Sequence, residues 1–121
     1  MNQVSPFAIK GMNFPRINQI AILAKDISKS AAHYSKLLGI GPWFRSKTVR
    51  RDLVFRDKPI ALDLDLAIAF RGGMGYELIQ VRGGDECIYS EMPRKNGGGI
   101  HHLGAVVWDS DGKLAKVRGS V

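Results

Sequence analysis

The chain has 121 residues, 45% of them hydrophobic and 24% charged. That length suits one ordinary domain, and that balance excludes a disordered tail or a low-complexity spacer. A net charge of +7 from 18 Lys and Arg against 11 Asp and Glu invites a nucleic-acid reading. The basic residues Arg45, Lys47, Arg50, Arg51, Arg56 and Lys58 are broken by Asp52 and Asp57, however, and no nucleic-acid-binding motif accompanies them. No nucleic-acid partner is expected; the charge suits a soluble surface or an anionic small molecule.

No apolar run approaches the ~18 residues of a membrane span, so no membrane association is expected. Residues 1–16, with Pro6, Gly11 and Pro15, show no period and no signal-peptide core, and read as a leader arm. A lone Cys87 forms no internal disulfide and fits a reducing, cytoplasmic setting.

Ile17 to Ala24 is a short isoleucine-rich run of strand length. Asp26 or Ser28 can cap the helix that follows over residues 27–38, where Ile27, Ala31, Tyr34, Leu37 and Leu38 make one apolar stripe. Gly39 suits the left-handed position after that helix, and Pro42 stops it. Trp43 to Val49 reads as a second strand, and residues 50–59 as a polar excursion. Alternation of Leu62, Leu64, Leu66, Ile68 and Phe70 with Asp63, Asp65, Ala67 and Ala69 predicts a third strand. The turn at 71–75 joins it to a fourth, Tyr76 to Val81. A connector, 83–99, contains a helical turn near Cys87 to Met92 and a flexible joint at 96–99. Ile100 to Val107 reads as another strand. Asp109 or Ser110 then caps a helix at about 113–117.

The first and last strands echo each other. Gln19 aligns with His102, Ile20 with Leu103, Leu23 with Val106 and Asp26 with Asp109. On both sides the order is strand, acidic cap, helix.

In this order the segments INQIAILAKDISKSAAHYSKLLGIGPWF, YELIQV and GGGIHHLGAVVWD resemble the vicinal oxygen chelate superfamily, which includes glyoxalase I, methylmalonyl-CoA epimerase, extradiol dioxygenases and bleomycin-resistance proteins. The connector resembles the epimerase-like branch most. The resemblance implies an α+β fold: a βαβββ module over 17–82, a connector over 83–99 and the start of a truncated second module over 100–121. It also implies a cup holding a divalent metal (Zn, Ni, Co, Mn, Mg or Fe). By position the ligands are Gln19, Glu77 and His102, Glu77 also being a possible catalytic base. A fourth ligand, on the last strand of a second module, would lie beyond Val121. Gln at the first position resembles glyoxalase, where epimerases carry His.

An amide oxygen, a carboxylate and an imidazole suit a hard divalent ion, which stabilises an enolate as a Lewis acid. The expected function is therefore isomerase, epimerase or lyase chemistry beside a carbonyl on a small-molecule substrate. A non-catalytic, resistance-protein-like binding module with an incomplete metal site is the alternative. From a regular strand, His101 and His102 point to opposite faces, so only one enters the cup. Cys87 reads as structural, His33 as a surface residue, and Trp43, Phe44 and Phe70 as core or interface. Asp63 and Asp65 read as a solvated sheet face. An apolar edge strand at 100–107 predicts a homodimer.

Overall fold

A computed structural model of the chain describes residues 15–91, 99–107 and 110–119. The expected leader arm up to residue 14, the joint at 96–98 and the Asp109 cap lie outside the described residues. Asn18–Gly104 forms one compact unit, and the second helix of the chain, α2 (Ser110–Gly119), belongs to another. That helix is longer than the sequence pattern predicts.

The larger unit is a five-stranded mixed sheet in the order β2-β3-β4-β1-β5 with one helix, α1. Its strands are β1 (Gln19–Leu23), β2 (Phe44–Phe55), β3 (Lys58–Arg71), β4 (Met74–Gly84) and β5 (Gly99–Gly104). β1 runs parallel to β4 and antiparallel to β5. This is the α+β architecture expected from the sequence.

Helix α1 (Ile27–Leu38) forms where the apolar period predicts it. Asp26 is the cap: its carboxylate accepts the Lys29 N–H at 3.1 Å, relieving one of the free amide groups of the first turn. The Ile27 N–H donates to Oε1 of Gln80 on β4 at 2.9 Å, so the sheet supplies a second cap. At the other end Gly39 takes the left-handed conformation (φ 67°), and Arg71 donates to the Leu38 carbonyl.

The helix packs on one sheet face, where Ile22, Ile27, Ala67 and Leu78 form a buried cluster with Ile20, Ala31, Tyr34 and Trp43 against it. Leu37 and Leu38 depart from the expected stripe, at 63% and 43% exposure. They lie in the last turn and are absent from that cluster, so the helix contacts the sheet mainly through its first two turns.

The expected polar excursion at 50–59 is strand instead. β2 and β3 form a long hairpin that turns at Arg56 and Asp57, both in the left-handed region (φ 50° and 65°). A tight turn of this kind twists with the flanking strands, and Leu53 pairs with Ile60 beside it. The sequence lacks the Asn-Gly that would have announced the turn. After β4, the expected helical turn forms as a 3-10 helix at Ile88–Glu91. β5 ends at Gly104, short of the predicted Val107.

Asp63 and Asp65 do not form a solvated face. Asp65 is 6% exposed on the helix side, where Arg45 Nη2 donates to Oδ2 at 2.7 Å. The same guanidinium donates through Nη1 to Ser28 Oγ at 2.9 Å. Oδ1 of Asp65 is buried without a hydrogen-bond partner among the described residues.

Candidate functional site

Strand register places the site. Residues paired across neighbouring strands share a face, and one rank crosses the whole sheet as Phe44, Ile68, Glu77, Ala21 and His102. The next rank runs Phe70, Gly75, Gln19 and Gly104. Gln19, Glu77 and His102 therefore stand on one face, opposite the one α1 covers. The apolar floor of this face is Ala21, Leu62, Leu64 and Ile79 with Cys87, flanked by Leu66, Val81 and Tyr89.

Small residues make the room. Ala21 separates Glu77 on β4 from His102 on β5, and strands lie about 4.8 Å apart. The two longer side chains flank a methyl group that fills little of the gap. Gln19 sits between Gly75 and Gly104. A Cβ built on Gly104 would stand 2.5 Å from Oε1 of Gln19, so only glycine leaves the amide its place.

The sequence echo acquires a geometric meaning. β1 and β5 pair antiparallel with Ile20 opposite Leu103. A local twofold through that pair carries Gln19 onto His102, the alignment read from the sequence. The two are diagonal neighbours on one face.

Glu77 is half-buried, and no hydrogen bond or ion pair to its carboxylate occurs among the described residues. Burial pushes its pKa up, and the nearby His102 works in the opposite sense. Tyr89 is also raised, chiefly by burial and then by the charges of Glu77 and Cys87.

The structure corrects the expectation that the two histidines oppose each other. A bulge interrupts β5: Ala21 pairs with His102 and Ile22 with Ile100, leaving His101 without a partner on β1. His101 Nδ1 then lies 3.0 Å from His102 Nδ1, and its ring packs 4.9 Å from that of Tyr89. His101 and Tyr89 thus join the cluster, although strict alternation excluded the first and nothing in the sequence marked the second. Phe44 and Phe70 are exposed on this face rather than buried in a core.

The donor set fits a hard divalent cation: an amide oxygen, a carboxylate without a partner and an imidazole. Among the described residues no group of three or more His, Cys, Asp or Glu stands ready for a metal. Any metal at this site would therefore need the amide of Gln19 beside Glu77 and His102.

Comparison with known proteins gives the fold a context. A hypothetical protein from Bacillus halodurans C-125 superposes with a TM-score of 0.62 at 17% identity, over 87% of this chain and 67% of that one. Methylmalonyl-CoA epimerase from Mycobacterium tuberculosis follows at 0.60 and 16%, over 86% of this chain and 63% of its own. A Streptomyces coelicolor methylmalonyl-CoA epimerase in complex with 2-nitronate-propionyl-CoA gives 0.53 and 19%, over 89% and 73%. The chain thus spans about two thirds of the length of these structures, and at such identities they establish a shared fold. No curated protein matches. Among the described residues no helix is long and apolar enough to cross a membrane. The sequence profile of one family covers residues 18–119, the whole sheet and both helices, and the chain belongs to that family: the Glyoxalase/Bleomycin resistance protein/Dioxygenase superfamily.

Proposed function

We propose that this protein is a small-molecule metalloenzyme of the glyoxalase and epimerase type, acting on a carbon beside a carbonyl. The observation that supports this most is the placing of Gln19, Glu77 and His102 on one sheet face around Ala21. Gln19 offers its amide oxygen, Glu77 its carboxylate and His102 a ring nitrogen. When bound there, a divalent cation supplies Lewis acidity to the oxygen of a substrate carbonyl and lowers the cost of an adjacent carbanion.

The chain's own groups account for the rest. Glu77 is half-buried, with no hydrogen bond or ion pair to its carboxylate among the described residues, so its ionised form gains from a cation. Its raised proton affinity also suits it to take a proton from the substrate carbon and return it. The apolar floor and the exposed rings of Phe44 and Phe70 offer contact to a carbon chain. Arg50, paired with Asp52, lies on the same face as Phe44 by register, and its charge favours an anionic substrate such as an acyl thioester of coenzyme A.

The edge strand β5 leaves Ile100 and Leu103 exposed on the helix side. A homodimer through this edge belongs to the same proposal, as does a cytosolic setting for the buried free thiol of Cys87.

Titration calorimetry of the purified protein with Co²⁺, Ni²⁺ and Zn²⁺ tests the reading, followed by exchange of the α-proton of an acyl-CoA in deuterated water. Binding of one ion per site, lost in His102→Ala and weakened in Gln19→Ala, is expected, together with metal-dependent exchange. Binding of an acyl thioester without metal and without exchange would favour a binding module instead. Sedimentation at micromolar concentration tests the dimer.

A further inference from the structure

The bulge at His101 does more than admit a second imidazole. Nε2 of His101 lies 3.4 Å from the carbonyl oxygen of Ile88. A carbonyl only accepts, so a hydrogen bond at that contact places the hydrogen on Nε2. In a neutral ring, Nδ1 of His101 is then a bare acceptor. The facing Nδ1 of His102, 3.0 Å away, has to supply the proton of the second contact. Together the two contacts call for hydrogen on Nδ1 of His102 and a lone pair on its Nε2. The Tyr89 ring, tilted 59° to that of His101, packs against it and limits its rotation.

The geometry points to His101 as a positioning residue that fixes the tautomer of His102 and leaves His102 Nε2 as a donor for a cation. The chain of contacts runs from the Ile88 carbonyl through His101 to His102. A metal-binding histidine ordinarily needs such an outer partner on its second nitrogen. Here an imidazole takes the place that a carboxylate or a backbone carbonyl more often fills. The tautomer stands on the contacts alone; its role toward a cation rests on the proposed metal site.

The test reads the rings directly, in metal-free protein labelled with ¹⁵N-histidine, at about pH 8. Two-bond ¹H–¹⁵N correlations are expected to show His102 protonated on Nδ1 and His101 on Nε2. His101→Phe keeps a ring against Tyr89 but removes the acceptor. It should release His102 to a mixture of tautomers and weaken Zn²⁺ binding by about 10–100-fold. His101→Asn, whose Oδ1 can accept from the same Nδ1–H, should restore both. A wild-type His102 protonated on Nε2, or a Phe variant with an unchanged His102 tautomer, overturns the proposal. The expected tautomers in a protein that binds no metal would uphold the relay and reject the metal site. Metal binding that the Phe variant leaves unchanged would reject the role toward the cation.

Discussion

The two faces of the sheet bury similar apolar clusters but treat their polar groups in opposite ways. Under α1, Gln80 caps the helix and Asp65 is paired with Arg45, which also reaches Ser28. On the other face the Glu77 carboxylate has no hydrogen bond or ion pair among the described residues, and the two histidines hydrogen-bond each other. Polar groups on the covered face hold the helix down, apart from Oδ1 of Asp65, which has no hydrogen-bond partner among the described residues. Those on the open face are kept together at some cost in stability, which is the expected signature of a site.

The largest effect should come from breaking the covered face. Leu78 is 0% exposed beneath α1, and Leu78→Ala should cost about 2–5 kcal/mol in a denaturant titration. Metal affinity per folded molecule should stay the same, because the site lies on the other side. A Leu78→Ala protein that unfolds like wild type would show that the helix contributes little to the fold.

Next is Arg45→Ala, which leaves the buried Asp65 carboxylate without its donor. A loss of about 1–3 kcal/mol is expected, moderated because the guanidinium is half exposed. Asp65→Asn combined with Arg45→Ala should recover part of it. A single variant without measurable loss would mean that Asp65 is neutral or solvated.

The open face should respond in the opposite direction. Burial raises the pKa of Glu77, so the folded protein holds that proton more tightly than the unfolded chain. Its contribution to stability is most favourable below the ordinary carboxylate pKa. It falls as pH rises through the window up to the raised value. Glu77→Gln should flatten that part of the profile and raise the unfolding midpoint at neutral pH, while weakening metal binding. A lowered midpoint at neutral pH would reveal a favourable partner for the carboxylate and erase the contrast between the faces. Added divalent metal should stabilise the wild type and not this variant.

The smallest effect sharpens the edge of the helix contact. Leu38→Ala should change stability by less than about 1 kcal/mol, since the side chain is largely outside the packed cluster. A loss comparable with that of Leu78→Ala would place the last turn of α1 in a buried interface, such as one with a second copy of the chain.

Local chemistry determined a good deal of this protein from the sequence alone. Asp26, the 3.6-residue period and Gly39 delimited α1, because caps and periodicity are properties of neighbouring residues. Alternation from Leu62 to Phe70 located the core of β3 for the same reason. The echo of Gln19 in His102 was legible because a local twofold leaves its mark on both strands. Only the tertiary structure decided the rest. The turn at Arg56 and Asp57 carries no strong turn residues, and the hairpin around it is held by pairing along its length. Leu37 and Leu38 fit the helical period, yet the sheet contact involves mainly the earlier turns, which periodicity cannot foretell. Asp65 read as solvated until Arg45, twenty residues earlier in the chain, was brought across the hairpin to it. The bulge is the clearest case: strict alternation sends His101 and His102 to opposite faces, and one unpaired residue against β1 brings them to a shared hydrogen bond.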